Sequence, residues 1–395
     1  MAEKTRAAGT TASSGEPVTV AVPEEVARHA RETGVLESPW IWLTCVALAV
    51  ACVGLTVLVR RRTGPRRCGI ALAVVFALLA TTAGVNAHVG YVRSPTDLVL
   101  LLQRGGGPLR DLGPELEQDG SMPGTRRIRL GGPDGPVAER MVIADPGNAV
   151  PGGRNFVLLP PGYTDAANAN RRYPAVYLVH GNPGGPEDWL AAGDAPGTLQ
   201  RFYRLRALPP MIVVSVDLTA GHARRDWEGL DVPGGPKLET YLARSVVPAI
   251  DRRYRTLADR GHRALGGMSG GAFAALNIGL HHLDAFGALL LAMPYDVPDN
   301  RNRLGEDRAL LAVNTPRDHL RTMPFPLPVA AILTAGTGTP GDVEAARRIA
   351  EAFRSRGQQA TVRTEEGFGH TWRTARASLP YLLAFAAGHF ERPRG

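Results

Sequence analysis

The stretch Leu265–Leu276 (LGGMSGGAFAAL) constrains the fold most strongly, because it joins an apolar run to a small-residue run that favours a helix. At its centre, Gly267–Gly271 (GMSGG) is a G-x-S-x-G pentapeptide. Between a buried strand and a helix, this pattern is typical of a strained turn that exposes the serine hydroxyl at the helix N-terminus. Glycine is frequent, at 46 of 395 residues, so the pentapeptide needs support from the rest of the chain. We predict a strand, a sharp turn at Ser269 and a helix.

Strand and helix patterns alternate from about residue 125 onward. Helices are predicted at 238–254, from the turn to about His281, at 343–357 and at 378–390. Strands are predicted at 126–130, 139–145, 155–163, 173–181, 211–218, 262–268, 285–293, 328–336 and 359–366. Several of these strands are apolar throughout rather than alternating, which indicates burial on both faces. The predicted fold is therefore α/β, with a mostly parallel sheet covered by helices on both sides.

Two apolar runs precede this region. Residues 40–59 carry no charge, and at about 1.5 Å per residue they span roughly the 30 Å bilayer core as a helix. A second run covers 70–92, and the connecting loop 60–69 contains five arginines. We predict a two-helix transmembrane hairpin whose basic loop stays cytoplasmic, so that everything after residue 92 is extracytoplasmic. Cleavage after Ala87, which would release the rest of the chain, is the alternative.

These patterns divide the chain into four parts. The expected parts are a disordered tail (1–38), the hairpin (39–92), a Gly- and Pro-rich linker (93–124) and a folded domain (125–395). The cysteines Cys45, Cys52 and Cys68 all precede the domain, which excludes a disulfide framework within it. The net charge of +8 over 395 residues, without a nucleic-acid motif, excludes a nucleic-acid-binding class.

Several segments stand in the order found in a known family. They are LPPGY, YLVHGNPGGPEDW, VVPAIDRRYRT, GGMSGGAFAALNIGL with LDAFG, and GFGHTW closed by SLPYLLAF. In this order they resemble the Putative esterase family of α/β hydrolases, which includes esterase D-like enzymes, feruloyl esterases and antigen 85-type mycolyltransferases. The resemblance covers about residues 125–392 and is nearest to membrane-attached actinobacterial members. It implies an α/β-hydrolase fold and a serine nucleophile.

A serine hydroxyl needs a base to take its proton as it attacks. In α/β hydrolases this base is a histidine that follows both the serine and the acid along the chain. His370, in the GFGHTW loop, fits that position, whereas His281 and His282 end a helix. For His180 the resemblance implies a structural role.

Two backbone N–H groups are expected to form an oxyanion hole. Gly270 directly follows the nucleophile, and Asn182 follows the His-Gly pair in the loop after the third hydrolase strand. A plain turn at this loop is the alternative.

The acid is the least defined member of the site. Family members usually carry an aspartate about three residues after the glycine that ends the preceding strand, and Thr339 stands there in this chain. We expect Asp342 to take the role, with Glu344 as the next candidate. Asp296 or Asp299, after the previous strand, are further alternatives. A helix begins near Asp342, so an N-cap role is equally consistent with the sequence.

The long segment Pro294–Pro328 is expected to wall the site. Its arginines and Trp189, Trp227 and Trp372 are candidates to shape the substrate pocket, and a surface or packing role, the commoner one for such residues, is the alternative for each. The stretch Gly336–Gly341 also fits a dinucleotide fingerprint. It follows a late strand, however, and hydrolase elements explain the same loop, so we expect neither a cofactor nor a metal.

We therefore expect a membrane-anchored serine esterase with an extracytoplasmic domain, acting on a small-molecule, lipid or cell-envelope ester. Acyl transfer to a sugar or lipid hydroxyl, and a catalytically silent binding domain, are the alternatives.

Overall fold

The structure, a computed structural model, describes residues 20–59, 63–95, 97–98, 126–129, 136–222 and 225–390. Within these ranges the strands are β1 Arg126–Arg129, β2 Val137–Asp145, β3 Val150–Leu159, β4 Ala175–Val179, β5 Ile212–Val216, β6 Arg263–Met268, β7 Ala288–Ala292, β8 Ala330–Gly336 and β9 Gln359–Glu365. They form one sheet in the order β1-β2-β3-β5-β4-β6-β7-β8-β9. Strands β4 to β9 are parallel, and β1 to β3 extend the sheet in antiparallel fashion.

The chain passes from β4 to β5 on one side and then crosses to β6 on the other. In an open α/β sheet, ligands bind at such a switch point, outside the carboxyl ends of the strands. The loops after β4 and β6 therefore meet at the natural position for a site. The predicted α/β architecture with a mostly parallel sheet is confirmed.

Helices cover both faces of the sheet. The described α-helices are α1 Glu24–Arg31, α2 Pro39–Leu58, α3 Thr63–Val89, α4 Glu187–Leu190, α5 Ala195–Arg204, α6 Leu238–Thr240, α7 Val247–Arg253, α8 Gly270–His281, α9 Arg308–Val313, α10 Pro316–Thr322, α11 Pro340–Ser355 and α12 Trp372–His389. A π-helical stretch, Tyr241–Val246, joins α6 to α7. Alternate residues along the central strands enter one or the other of two buried clusters, for example Tyr177 and Leu178 of β4. This alternation explains why the central strands are apolar throughout.

The two apolar helices α2 and α3 pack against each other as an antiparallel pair and are long and apolar enough to cross a bilayer. Segments of this kind near an N-terminus either span a membrane or act as signal sequences. Helix α3 begins at Thr63, so much of the predicted loop 60–69 is helical, and the proline in its first turn is compatible with this start. The helix ends at Val89 rather than residue 92, because Gly90 adopts a positive φ of 71°.

The expectation of disorder over 1–38 is wrong for the part that the structure describes. Helix α1 packs on the domain and buries Val26, Ala27 and Ala30. Further along, Glu37 is buried against Arg376 of α12 at 2.9 Å. Residues 1–19 and most of the expected linker 93–124 lie outside the described residues.

Candidate active site

Ser269 joins β6 directly to α8. Its backbone has φ 55° and ψ −120°, a conformation that L-residues rarely adopt. The glycines two positions to either side permit this turn. A Cβ on Gly267 would lie 2.2 Å from the carbonyl oxygen of Gly271, and one on Gly271 would lie 2.3 Å from that of His180. The pentapeptide therefore has its glycines where the strand and helix backbones nearly touch.

His370 lies between β9 and α12, and its side chain joins two distant parts of the chain. Its Nε2 is 2.8 Å from Ser269 Oγ, and its Nδ1 is 2.7 Å from Asp342 Oδ2. When Nδ1–H donates to the carboxylate, Nε2 is left as the acceptor for the serine proton. The backbone N–H of Gly338 donates to Phe368 O at 2.8 Å and thereby ties the loop after β8 to the loop that carries His370.

Of the acids considered from the sequence, Asp342 is the one that lies against His370. It stands in the first turn of α11 behind the N-cap residue Thr339, so it does not occupy the cap position itself. Asp296 is paired instead with Arg317 and Arg348, at 2.7 and 2.9 Å. Glu344 is exposed on α11.

The two expected oxyanion donors belong to one small cleft. Asn182 and Gly270 both line it, beneath the loops that follow β4 and β6. His180 connects the two loops that flank this cleft. Its Nδ1 lies 2.8 Å from Gly181 O, and the backbone N–H of Leu218 donates to its Nε2 at 3.3 Å. Both ring nitrogens of His180 are therefore engaged by backbone groups, and its structural role stays a prediction.

The sequence reasoning missed two acids beside this cleft. A Cβ on Gly270 would lie 3.1 Å from Asp226 Oδ2, and burial raises the pKa of Asp226 to about 6. Glu228 is buried and accepts hydrogen bonds from the Tyr295 hydroxyl at 2.7 Å and the Asp299 backbone N–H at 2.8 Å. The segment that carries both acids reads as an ordinary polar loop, and its sequence gives no signal that it approaches Ser269.

The long segment Pro294–Pro328 does reach the site, through Tyr295 on Glu228 and through Arg303. The Arg303 guanidinium stacks on Trp227 at 4.6 Å, and Trp227 lines the cleft. Trp189 and Trp372 take the packing role instead: they are buried against each other, with ring centroids 5.2 Å apart. Across the described ranges, His, Cys, Asp and Glu side chains form no group suited to hold a metal ion.

Comparisons with solved structures agree with this fold. A ferulic acid esterase matches with a TM-score of 0.55 and 22% identity, over 63% of this chain and 97% of that one. The S-formylglutathione hydrolase of Agrobacterium tumefaciens matches with a TM-score of 0.54 and 16% identity, over 67% of this chain and 99% of that one. At such identities the likeness establishes the α/β-hydrolase fold alone.

Among curated proteins, an uncharacterised protein of Corynebacterium glutamicum is 26% identical over 245 residues, which is 59% of this chain and 56% of the relative. An esterase of Mycobacterium tuberculosis is 36% identical over 123 residues, which is 30% of this chain and 24% of the relative. The chain thus spans about half or less of the relatives it matches. The model of the "Putative esterase" family matches residues 153–384, more than half of the chain. The chain belongs to the Putative esterase family.

Proposed function

We propose that the protein is a membrane-anchored serine esterase that hydrolyses carboxylic esters through an acyl-serine intermediate. The observation that carries the proposal is the continuous hydrogen-bonded row Asp342–His370–Ser269, with distances of 2.7 and 2.8 Å, at a strained strand-to-helix turn. Nucleophile, base and orienting acid in hydrogen-bond contact are the arrangement required for acyl transfer to serine. Membership of the Putative esterase family supports the same chemistry.

In the proposed reaction, Ser269 Oγ attacks the ester carbonyl carbon while its proton passes to His370 Nε2. The tetrahedral oxygen is stabilised by the N–H groups of Gly270 and Asn182. The imidazolium, oriented by Asp342, then gives its proton to the departing alkoxide, and the C–O bond breaks to leave an acyl-serine. In the second half, His370 takes a proton from water, the resulting attack forms a second tetrahedral species, and the acid is released as the proton returns to Oγ.

The exposure of the base favours water as the acyl acceptor. The His370 side chain is 37% exposed, so solvent reaches the position from which deacylation must occur. A base that solvent reaches can activate water for deacylation, as the proposed hydrolysis requires. We therefore propose hydrolysis rather than transfer as the main reaction.

The anchoring part of the proposal rests on α2 and α3. Both helices are long and apolar enough to span a bilayer, and the five arginines in 60–69 mark their connection as the cytoplasmic end. The esterase domain then lies on the extracytoplasmic side.

The test is labelling of the purified full chain with a fluorophosphonate probe, together with hydrolysis of p-nitrophenyl butyrate. We expect both signals in the wild type and neither in Ser269→Ala. Ser355→Ala, which changes an exposed serine at the end of α11, is the matched control and should retain both. Absence of labelling in a folded wild type would show a silent domain, and formation of a new ester when alcohols are added would show a transferase.

A further inference from the structure

The end of α3 is fastened to the chain segments that flank it. The Asn86 side chain donates to Leu36 O at 3.0 Å and to Val92 O at 2.8 Å, and it accepts from the Val92 N–H at 2.8 Å. These hydrogen bonds restrict rotation of the segment after Val89 relative to α3. The parts of the domain that contact this segment are therefore held in a fixed position relative to the end of α3.

The end of α3 and the residue after it contact α12, which follows the loop of His370. Arg373 donates to Ala87 O at 3.4 Å, and Arg376 donates to Gly90 O at 3.2 Å. Both arginines lie in the first two turns of α12, and Arg376 is 1% exposed. Arg373 follows His370 by three peptide units, which span at most about 11 Å. At most about 11 Å of chain therefore separates the proposed base from a residue that contacts the end of the apolar helix.

A second contact leads to the other side of the site. The Tyr91 hydroxyl donates to Asp188 Oδ1 at 2.6 Å. The other carboxylate oxygen of Asp188 accepts from the Gly185 N–H at 2.9 Å, in the same loop as the oxyanion donor Asn182. Two independent connections thus hold the start of α12, which follows the His370 loop, and the loop that contains Asn182 to the end of α3.

This end of the hairpin has the aromatic residues that are typical of a membrane–water interface. Helix α2 starts at Pro39, and Trp40 is 74% exposed there, with Trp42 against Gly84 of α3. Tryptophans are enriched at the headgroup level of a bilayer, a layer about 5–8 Å thick on each side. The loops of His370 and Asn182 therefore lie on the side of the domain that contacts this end of the hairpin.

We propose that the Ser269 site acts on esters carried by bilayer-resident amphiphiles, which reach it from the membrane surface on which the domain is held. This inference rests on the proposed function. An amphiphile with its chain in the hydrocarbon region presents its ester group at the headgroup level, so it needs only a short displacement to reach Ser269. The anchored site meets such a substrate at a high effective concentration.

The first test asks how close Ser269 lies to the lipid headgroups. It uses phosphatidylcholine vesicles that contain the full chain and a lipid with a nitroxide on its headgroup. A fluorophosphonate dye on Ser269 should lose about half of its emission or more, because nitroxides quench only nearby dyes and this nitroxide lies in the headgroup layer. The control dye is placed on Ser355→Cys in a background without the native cysteines. Ser355 lies at the opposite end of α11 from Asp342, about 20 Å farther along the helix, and its dye should retain its emission.

Substrate class is tested with two methylumbelliferyl esters that share a leaving group, a vesicle-borne oleate and a soluble acetate. We expect kcat/KM to favour the oleate by about tenfold or more. Failure of the probe to label Ser269 would count against the proposed function itself. Labelling without quenching would overturn the placement at the membrane, and turnover of the acetate with no turnover of the oleate would overturn the substrate class.

Discussion

At the scale of single residues, the proposed mechanism depends on Asp342 holding the imidazole of His370. The two side chains are 2.7 Å apart, and Asp342 is mostly shielded, with 17% of its side chain exposed. Asp342→Asn keeps the size of the side chain but removes the charge that favours the Nδ1–H tautomer. We expect kcat to fall by about 10³- to 10⁴-fold, with little change in thermal stability.

Glu344 provides the matched control for this prediction. It lies two residues further along α11 and is exposed, and the sequence alone made it the next candidate for the acid. Steady-state kinetics with p-nitrophenyl butyrate should show that Glu344→Gln stays within about twofold of wild type, as for a surface side chain outside the site. If Glu344→Gln and Asp342→Asn lose activity equally, Asp342 is not the orienting acid.

Asp226 adds a titratable carboxyl group beside the site, which the sequence did not reveal. Its pKa is raised to about 6, mainly by burial and further by the charges of Glu228 and Asp299. Above that pH the Asp226 carboxyl group is negatively charged and lies beside Gly270, where the oxyanion would form. Because like charges repel, this carboxylate should disfavour the oxyanion. Asp226→Asn should therefore match wild-type kcat/KM at pH 5 and exceed it several-fold at pH 8, as measured across a pH series. A variant that is slower at every pH would instead make Asp226 a substrate-binding group.

The serine motif, chain order and the family resemblance selected Ser269 and His370 and made Asp342 the first choice among several acids, and the three side chains lie within hydrogen-bond distance in the fold. They meet because the Ser269 turn, the acid loop and the histidine loop all follow carboxyl ends of parallel strands, and these ends share one edge of the sheet. Their catalytic roles stay a prediction. Asp226 could not be found this way, because it lies in a loop whose course depends on tertiary contacts such as the Trp227 Nε1–H donating to Thr219 O.

At the scale of elements, the turn between β6 and α8 stores backbone strain. Ser269 has φ 55°, where a Cβ is disfavoured and glycine is not. Ser269→Gly should therefore be more stable than Ser269→Ala by about 1 kcal/mol in chemical unfolding, although glycine usually costs stability relative to alanine. Neither variant should react with the fluorophosphonate. The opposite order of stability would mean that the turn is unstrained.

The contact between Glu37 and Arg376 joins the N-terminal segment to α12. Both side chains are almost completely buried, and Arg376 also donates to Ala192 O at 3.1 Å. Glu37→Gln leaves a buried guanidinium without its counter-charge, so we expect a loss of about 3 kcal/mol or more, or roughly 6–12 °C in apparent Tm. Glu32→Gln removes an exposed partner of Arg28 and should cost no more than about 0.5 kcal/mol. Equal melting temperatures in one detergent would contradict the role of the buried pair.

The strands were more predictable than this N-terminal segment for a physical reason. Central strands such as β7, Ala288–Ala292, are buried on both faces and read as unbroken apolar runs. Helix α1 buries Val26 and two alanines, so its apolar stripe is too small to stand out among charged neighbours. Burial of α1 comes from the surface that α12 and α5 offer it, and that surface is not readable from residues 24–31.

At the scale of the whole molecule, the hairpin has two chemically different ends. In the sequence, five arginines at 60, 61, 62, 66 and 67 fall between the end of α2 and the first turns of α3, whereas Trp40 and the contacts to the domain lie at the opposite end of the hairpin. A bilayer that accommodates both helices therefore separates the arginines from the esterase domain. The proposed orientation follows from the positive-inside rule, which favours the cytoplasm for the arginine end.

This orientation predicts opposite accessibility for two exposed sites, Thr63 at the start of α3 and Ser355 on the domain. In a chain with Cys45, Cys52 and Cys68 replaced, Thr63→Cys and Ser355→Cys each provide a single thiol. A membrane-impermeant maleimide should label Ser355→Cys in intact cells with an opened outer envelope, and Thr63→Cys only after the membrane is permeabilised. Both variants should label fully in detergent, which controls for thiol reactivity. Labelling of Thr63→Cys alone in intact cells would place the esterase domain in the cytoplasm, and labelling of both would mean that the helices do not span the membrane.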